Sequence, residues 1–320
     1  MKAFWLAIAA LAAQQGPTIR VPVRLVNLPT LVFSKESRLV PGLQKTDFRV
    51  YDNGYLQEVF LDTTGTSISV VLAVQANQDV RGYLPFIRKA GSAVEALLIG
   101  DSGEAAVIEY NGEITVVKPF DTGDVRTALS KISTNGMPSR MIDAGHRGLT
   151  LLKERPASRA RILLFIGQAM DSGSKATLKF VREQAERESI SIYAITLPEF
   201  GKAFVSDTFS LQGLPRDAGG FKAGVDLGKL IAVLNRSGAA DKSADPFSVL
   251  TAATGGIQLH FRKQKELENA IATIGVELRS AYPLSYSPSS TETGYHTIKV
   301  EVDVPRATVH SRPGYWLGAN

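Results

Sequence analysis

The sequence predicts an α/β protein: a doubly wound, mostly parallel sheet with one antiparallel edge strand, flanked by a small β-sandwich. Three unbroken apolar segments, SISVVLAV, ARILLFIG and SIYAITL, alternate with helical segments, as expected for strands covered on both faces. Asn111-Gly112 lies between two further β segments and predicts the hairpin that adds the antiparallel edge. Short β segments at both ends of the chain predict the sandwich.

Residues 1–15 are predicted to form a secretory signal peptide. Lys2 precedes the apolar run AFWLAIAALAA, and small residues stand at Ala10 and Ala12. A buried N-terminal helix is the alternative interpretation. The run is too short for a bilayer, which requires about 20 apolar residues, and no later stretch qualifies, so no transmembrane segment is predicted. We therefore expect an exported protein, periplasmic or extracellular.

The composition favours a folded chain and excludes several kinds of site. The chain has 320 residues, of which 44% are apolar, and a formal net charge of +5. It has no cysteine, so disulfides, thiolate nucleophiles and cysteine-ligated metals are excluded. The basic residues are scattered and not interleaved with aromatic residues, so no nucleic-acid partner is predicted.

Residues 16–64 are predicted to form an N-terminal β segment. Pro22 and Pro29 argue against helix and favour edge strands. Asn53-Gly54 predicts a two-residue hairpin turn. The stretch TTGTS at 63–67 is expected to connect this segment flexibly to the α/β domain.

Residues 65–280 are the predicted α/β domain. After the first strand we expect a helix at 83–99, then the hairpin, then helices near 125–132 and 143–154. The second and third apolar strands follow, with an amphipathic helix between them. Residues 198–245, rich in Gly, Ser and Asp, are predicted to be a long loop with at most one helix, near 227–234; connections of more than about 15 residues are usually binding loops or disordered.

The last part of this domain has clear helix signals. Asp245-Pro246 is a cap followed by a first-turn proline, and Gly255-Gly256 ends the helix that they begin. A short strand and a final helix follow. The final helix is predicted from apolar residues at helical spacing, namely Leu267, Ile271, Ile274 and Leu278.

Residues 281–320 return to β structure. Alternation in HTIKVEV puts Ile298, Val300 and Val302 on one face of a strand. We expect this segment to pair with the N-terminal one in a single β-sandwich, because two or three strands alone bury too little surface to be stable. Two separate β appendages are the alternative.

The ligand crevice of such a sheet lies beyond the carboxyl ends of the strands, where the strand order reverses. The first strand, ending at Val74, and the fourth, ending at Ile166, are expected to flank it. The turns after these strands and the loop before Asp143 should therefore face one another.

The core resembles a von Willebrand factor type A domain, and the whole chain resembles the exported "VWFA-related" proteins of Acidobacteria. The resemblance covers nearly all of the mature chain. It includes the lead-in RLVPGLQKTDFRVYDNGYLQEV, the segment TAATGGIQLHF and the closing YHTIKVEVDVPRATVHSRPGYW. It implies a metal-ion-dependent adhesion site: Asp-x-Ser-x-Ser after the first strand, a Thr from a later loop, and a second Asp after the fourth strand.

This chain departs from that pattern. In VVLAVQANQDV, Gln75 stands at the first Asp position, with Asn77 and Asp79 at the two Ser positions. Ser139 in GMPSRMIDAG matches the Thr, and Gln168 stands where the second Asp belongs. Among these positions the resemblance leaves only Ser139 with its usual chemistry.

We predict that no divalent metal binds at these positions. Mg²⁺, Mn²⁺ and Ca²⁺ require anionic oxygens, and carboxamides bring no net charge. Arg81 and Arg140, expected on the same rim, add repulsion. The amides then either have a structural role or form a metal-free polar contact surface, in which the two arginines attract an acidic partner. The alternative is a metal site rescued by Asp79 and Ser139.

No enzyme motif is present. The turns after the predicted strands lack Gly-x-Ser-x-Gly, the four histidines show no ligand spacing, and no nucleotide-binding glycine motif occurs. We therefore expect an exported, non-enzymatic interaction module that binds a protein or cell-envelope component, without a cofactor or small-molecule substrate. A metal-dependent adhesion or sensor domain and a structural envelope protein are the alternatives.

Overall fold

The structure, a computed structural model, describes residues 25–36, 38–62, 67–120, 123–136, 138–197 and 245–318. The predicted signal peptide 1–15 and Pro22 lie outside these residues. So do the first four residues of the stretch 63–67, and all of the loop 198–245 except Asp245.

The central sheet of the described chain has six strands in the order β10-β9-β8-β5-β6-β7. All neighbours pair in parallel except β6 and β7, which are antiparallel and place β7 at one edge. The predicted mostly parallel sheet with an antiparallel edge is thus confirmed. The strands are β5 (Ile68–Gln75), β6 (Glu104–Tyr110), β7 (Ile114–Lys118), β8 (Ala160–Gly167), β9 (Ser191–Thr196) and β10 (Gln258–His260).

Helices cover both faces of this sheet, which explains the unbroken apolar strands. One hydrophobic cluster joins the sheet to α1 (Leu84–Lys89), the π-helical segment Val94–Ile99, α3 (Val125–Lys131) and α7 (Gln264–Ser280). The opposite cluster joins it to α4 (Met141–Lys153), α5 (Leu178–Arg187) and α6 (Pro246–Thr254). Every residue of β5 is buried as a result.

The predicted helix at 83–99 is not continuous. It consists of α1, a single turn α2 (Gly91–Ala93) and the π-helical segment Val94–Ile99. Gly91 explains part of this, because a Cβ there would lie 2.6 Å from the Cα of Arg126 on α3. The close approach of two helices thus selects glycine at a position that lowers helix propensity.

The cap signals of α6 are confirmed. The Asp245 carboxylate accepts hydrogen bonds from the backbone N–H groups of Phe247 and Ser248, at 2.9 and 3.0 Å. Gly255 ends the helix in the left-handed conformation with φ of 75°.

The terminal segments form two antiparallel sheets. One has the order β13-β1-β11-β4 and the other β14-β12-β2-β3, so each combines strands from both ends of the chain. The strands are β1 (Val26–Phe33), β2 (Phe48–Asp52), β3 (Tyr55–Gln57), β4 (Val59–Leu61), β11 (Tyr282–Tyr286), β12 (Gly294–Val302), β13 (Thr308–His310) and β14 (Gly314–Leu317). A single hydrophobic cluster contains residues of both sheets, among them Leu28, Val50 and Leu284.

Of two local predictions for these sheets, the hairpin is correct, whereas the strand that contains Pro29 is not an edge strand, because β1 lies between β13 and β11. Asn53 and Gly54 have φ of 48° and 85° and connect β2 to β3 as a hairpin. Pro29 lies opposite Pro283 in the β1–β11 ladder, while β13 pairs only with Leu31–Phe33. The part of β1 that contains Pro29 therefore has one unpaired edge among the described strands.

Within the described residues, the structure contains no helix whose length and hydropathy would suit a membrane span.

Candidate functional site

The candidate site lies where the strand order of the central sheet reverses. The chain leaves β5 toward β6 on one side and returns to β8 on the other, so β5 and β8 are neighbours with a crevice beyond their carboxyl ends. Gln75 is the last residue of β5, and Gln168 directly follows β8. The predicted crevice strands are therefore confirmed as adjacent.

Four of the predicted site residues form one chain of hydrogen bonds. The Gln75 side-chain amide nitrogen donates to the Asn77 side-chain oxygen at 2.9 Å and faces the Gln168 side-chain oxygen at 3.4 Å. The Asn77 amide nitrogen donates to the Asp79 carboxylate at 2.8 Å. Gln75, Asn77 and Gln168 are buried, whereas Asp79 is half-buried. The chain of amides thus runs from the end of the sheet outward to a carboxylate.

A backbone group fixes the orientation of these amides. The Gln168 backbone N–H, which can only donate, contacts the Gln75 Oε1 at 2.6 Å. The Gln75 Nε2 must therefore face the Asn77 oxygen, which in turn directs the Asn77 Nδ2 toward Asp79. Each step follows from the one before, so the network has one consistent arrangement of donors and acceptors.

Gly167 permits the close approach of these groups. A Cβ at this position would lie 2.4 Å from the Tyr110 Oη and 2.8 Å from the Gln75 Oε1. Tyr110 is fully buried, and its hydroxyl has no hydrogen-bond partner among the described residues. Burial, followed by the charge of Asp171, raises the pKa of Tyr110 well above its ordinary value. The hydroxyl therefore stays neutral against the amide network.

Ser139 lies in the adjacent loop, but its hydrogen bonds are made with the loop after β8 and not with the amide side chains. Its Oγ donates to the Met170 carbonyl oxygen at 2.9 Å, and its backbone N–H donates to the Ser172 Oγ at 2.9 Å. Ser139 is buried. It therefore ties the loop before α4 to the loop after β8, so that these two loops face each other as predicted.

The two predicted rim arginines differ. Arg81 is exposed. The Arg140 guanidinium donates twice to the Asp143 carboxylate, at 2.9 and 2.6 Å, and once to the Gly112 carbonyl oxygen. The charge of Arg140 is therefore neutralised locally by a bidentate pair, while that of Arg81 faces solvent.

Asp143 also organises the loop after β8. Burial by itself raises the pKa of Asp143, but hydrogen bonds from the backbone N–H groups of Ala176 and Lys175 and from Arg140 together lower it below its usual range. Asp171 has a similar local role, because its carboxylate accepts from the Ser174 hydroxyl at 2.6 Å and from the Ile142 backbone N–H at 3.0 Å. Both carboxylates are thus occupied in holding loops.

Sequence reasoning missed Met170 and Tyr110. Met170 follows β8 by three residues and is 39% exposed, although it is a large apolar side chain. An apolar residue in a polar turn, QAMDSG, was the available signal. Tyr110 gave no signal, since its place beside Gln75 depends on the pairing of β6 with β5.

The donor set at these positions does not fit a divalent cation of the Mg²⁺ type. The side-chain oxygens of Gln75, Asn77 and Gln168 all face amide hydrogens, and Asp79 supplies one carboxylate at the outer end. A hard cation would have to displace these bonds to gain neutral oxygens. In the described parts of the chain, no cluster of three His, Cys, Asp or Glu residues is placed to hold a metal.

Comparisons with known proteins give structural likenesses only. No protein-family model matches the chain, and no curated protein matches it. BatB from Bacteroides thetaiotaomicron, a conserved hypothetical protein, aligns with 65% of this chain and 98% of its own, at 10% identity and a TM-score of 0.40. An aerotolerance-related membrane protein from Bacteroides fragilis aligns over the same shares, at 13% identity and a TM-score of 0.41.

A von Willebrand factor type A protein from Catenulispora acidiphila aligns with 92% of this chain and 64% of its own, at 9% identity and a TM-score of 0.46. The structural likenesses therefore include the family that the sequence resembles. With TM-scores below 0.5, the fold assignment rests on the strand order and pairing described above.

Proposed function

We propose that this protein is a non-enzymatic interaction module that binds another protein or a cell-envelope component through the carboxyl-end face of its central sheet. The observation that carries the proposal is the hydrogen-bonded chain Gln75–Asn77–Asp79 with Gln168 at the strand-order reversal. This is the position at which sheets of this kind bind ligands, and here it carries amides in place of a catalytic group.

The surface above this network supports a protein or envelope partner. Asp79 is half-buried, Arg81 is exposed and Met170 is 39% exposed, so the face combines charge of both signs with an apolar side chain. Methionine adapts its shape to a partner, and arginine is enriched at interfaces. The partner we infer therefore has an apolar contact surrounded by polar and charged groups.

We further propose that recognition is independent of divalent metal. A unit charge pair at 4 Å is worth about 4 kcal/mol at an effective dielectric constant of 20. Two carboxamides in place of carboxylates, at Gln75 and Gln168, remove two such attractions, while Asp79 restores at most one. Each 1.4 kcal/mol lost weakens affinity about tenfold.

Calorimetric titration of the protein with Mg²⁺, Mn²⁺ and Ca²⁺ tests the metal part of this proposal. We expect no saturable heat at millimolar metal, for the natural chain and for Asp79→Ala alike. Saturable binding that Asp79→Ala abolishes would instead establish the alternative, a metal-dependent adhesion or sensor domain with an altered ligand set.

Capture from cell-envelope extract with matched variants tests the face itself. Met170→Ala and Arg81→Glu should reduce capture of the same partner several-fold, with EDTA present or absent. Phe60→Ala is the control, because Phe60 is 50% exposed but lies on β4 of a terminal sheet and not on the central sheet. Equal capture by all three variants would contradict the proposed face and favour a structural envelope protein.

The proposal includes export and a supporting role for the terminal sheets. We propose that residues 1–15 are removed on export to the periplasm or beyond, and that the segments 16–64 and 281–320 form a β-sandwich that supports the α/β domain 65–280. The shared hydrophobic cluster of the two sheets supports the sandwich. Mass spectrometry of the secreted chain tests the cleavage, and retention of residues 1–15 would contradict it.

A further inference from the structure

A second concave site lies at the opposite end of the central sheet. A cleft of about 150 Å³ opens between the amino ends of β8 and β9 and the sheet that contains β1 and β11. It is separated from the candidate face by the length of β8, which is about 23 Å for eight residues. It is partly open to solvent.

The wall of this cleft is mostly apolar. Pro29 of β1, Ile162 of β8, Leu278 of α7 and Leu284 of β11 contribute to it. The volume is comparable to that of a cavity that admits benzene. An apolar cleft with a few polar groups is the usual form of a small-molecule site.

Arg161 is the polar group that distinguishes this cleft from a packing defect. Arg161 is one of the residues that line the cleft, is only 8% exposed, and has an Nε with no hydrogen-bond partner among the described residues. One Nη donates to the Glu188 backbone oxygen, which holds the guanidinium in place. The Glu188 carboxylate forms an ion pair with Lys153 at 2.8 Å.

The charge of Arg161 is therefore buried with little compensation. Burial lowers the pKa of Arg161, and the charge of Glu188 only partly opposes that effect. Arg159 also lines the cleft but lies 3.3 Å from the Glu104 carboxylate and donates to two backbone carbonyl oxygens. With Asp62 as the third charged residue of the wall, the formal charge there is +1. An entering anion would complete this environment.

We propose that the cleft binds a small carboxylate with an apolar body of about six carbon atoms. The carboxylate pairs with the Arg161 guanidinium, and the hydrocarbon occupies the space beside Leu278 and Leu284. Ser158, Ser189 and Ser191 also line the cleft and add polar groups to its wall. This site is distinct from the candidate face and does not depend on the proposed function.

The test is a nuclear magnetic resonance titration of the natural chain with hexanoate and with hexanamide, its neutral counterpart. We expect saturable amide shift changes at residues 158–162 and 281–285, with hexanoate binding at least tenfold more tightly than hexanamide. Arg161→Gln should remove this tenfold preference and leave hexanamide binding unchanged. The exposed Arg262→Gln is the matched control and should bind hexanoate as the natural chain does.

Arg161→Gln also loses the hydrogen bond to the Glu188 backbone oxygen at the end of α5, so this variant could fail to fold. A second variant therefore keeps the proposal testable. Ala281→Leu narrows the cleft from its wall and should weaken the binding of both probes. Dodecanoate is a third probe. If it binds more tightly than hexanoate, the natural ligand is the end of a lipid chain; if it binds less tightly, the ligand is a free small acid. No saturable binding of hexanoate, or equal binding by both variants and the natural chain, would overturn the proposal.

Discussion

Two of the buried polar networks in the described part of the chain differ in how they end. In the terminal sheets, the Asp52 carboxylate accepts from His296 at 2.7 Å and from the hydroxyls of Tyr315 and Tyr286 at 2.7 and 3.1 Å. The second ring nitrogen of His296 contacts the Glu292 carbonyl oxygen at 2.8 Å. At the carboxyl-end face, the amide chain that begins at Gln75 ends at a half-buried carboxylate.

The difference separates a network that is enclosed by the terminal sheets from one whose last residue is half-buried. Asp52 is 3% exposed and His296 is 1% exposed, and their bonds connect strands from opposite ends of the sequence. A buried carboxylate with all its bonds satisfied inside the protein contributes to stability and to the choice of strand partners. The amide network carries no buried charge of its own, and its outer end at Asp79 is half-buried, as the proposed recognition role requires.

The largest expected effect on the free energy of unfolding comes from breaking the network around Asp52. Asp52→Asn leaves His296 without its anionic partner and should lower the free energy of unfolding by about 3 to 5 kcal/mol, measured by urea denaturation. Glu301→Gln is the control, since the Lys299–Glu301 pair on the same strand has the same 2.7 Å distance but is exposed. Equal effects of the two variants would show that burial does not distinguish these pairs.

Glu277 is a buried carboxylate with fewer hydrogen-bond partners than Asp52, and it extends the comparison to the pH dependence of stability. Glu277 is buried, accepts one bond from the Tyr193 hydroxyl, and has its pKa raised to about 8, mainly by burial. The folded protein therefore retains a proton that the unfolded chain loses above about pH 4.5, and its stability falls as pH rises toward 8.

Glu277→Gln should remove this loss. We expect the variant to be more stable than the natural chain by about 4 kcal/mol at pH 8 and nearly equal to it at pH 4.5, by chemical denaturation at both pH values. Exposed Glu154→Gln should show no such crossover. A constant difference at all pH values would mean that Glu277 does not titrate in this range.

Placing a charge in the amide network should have an intermediate effect on stability. Gln75→Glu places a carboxylate oxygen against the side-chain oxygens of Asn77 and Gln168, which should cost about 2 kcal/mol of stability in EDTA. The measurement is thermal or urea unfolding with and without millimolar Mg²⁺. If Mg²⁺ restores the lost stability, the pocket retains the shape of a metal site; Gln57→Glu, in the terminal sheets, is a control that Mg²⁺ should not rescue.

The smallest effect is expected at the outer end of the amide chain. Asp79→Asn keeps an oxygen that Asn77 can donate to, so the free energy of unfolding should change by no more than about 0.5 kcal/mol. Asp52→Asn serves as the comparison under the same conditions. A loss of several kcal/mol at Asp79 would place its carboxylate among the groups that hold the fold.

The sequence was sufficient to predict features that depend on local residues. Burial on both faces requires continuous apolar strands, so β5, β8 and β9 were recognised together with their parallel order. The cap at Asp245 and the turn at Asn53-Gly54 were recognised because they have specific backbone requirements. Convergence of strand ends predicted that the turns after β5 and β8 face each other, and the resemblance to type A domains assigned Gln75, Asn77, Asp79 and Gln168 to one site.

The pairing of the two terminal β segments was predicted, but individual contacts between distant residues could not be. Asp52 and His296 are 244 residues apart, and nothing near either residue indicates the other. The pairing of Arg140 with Asp143 was within reach, since residues three apart meet on a helix, but the loop carbonyl that Arg140 also contacts was not. The break at 91–94 depends on a neighbouring helix, so the residues of that segment alone predicted a continuous helix.

The order of strand pairing has a consequence for how the protein is made. Val50 on β2 pairs with Val300 on β12, and Val26 on β1 pairs with Tyr286 on β11. Ribosomes add about 5 to 20 residues per second, so the first strands wait about 10 to 50 seconds for these partners to be synthesised. A nascent chain with open strand edges for that long requires protection from self-association, which a holding chaperone would supply.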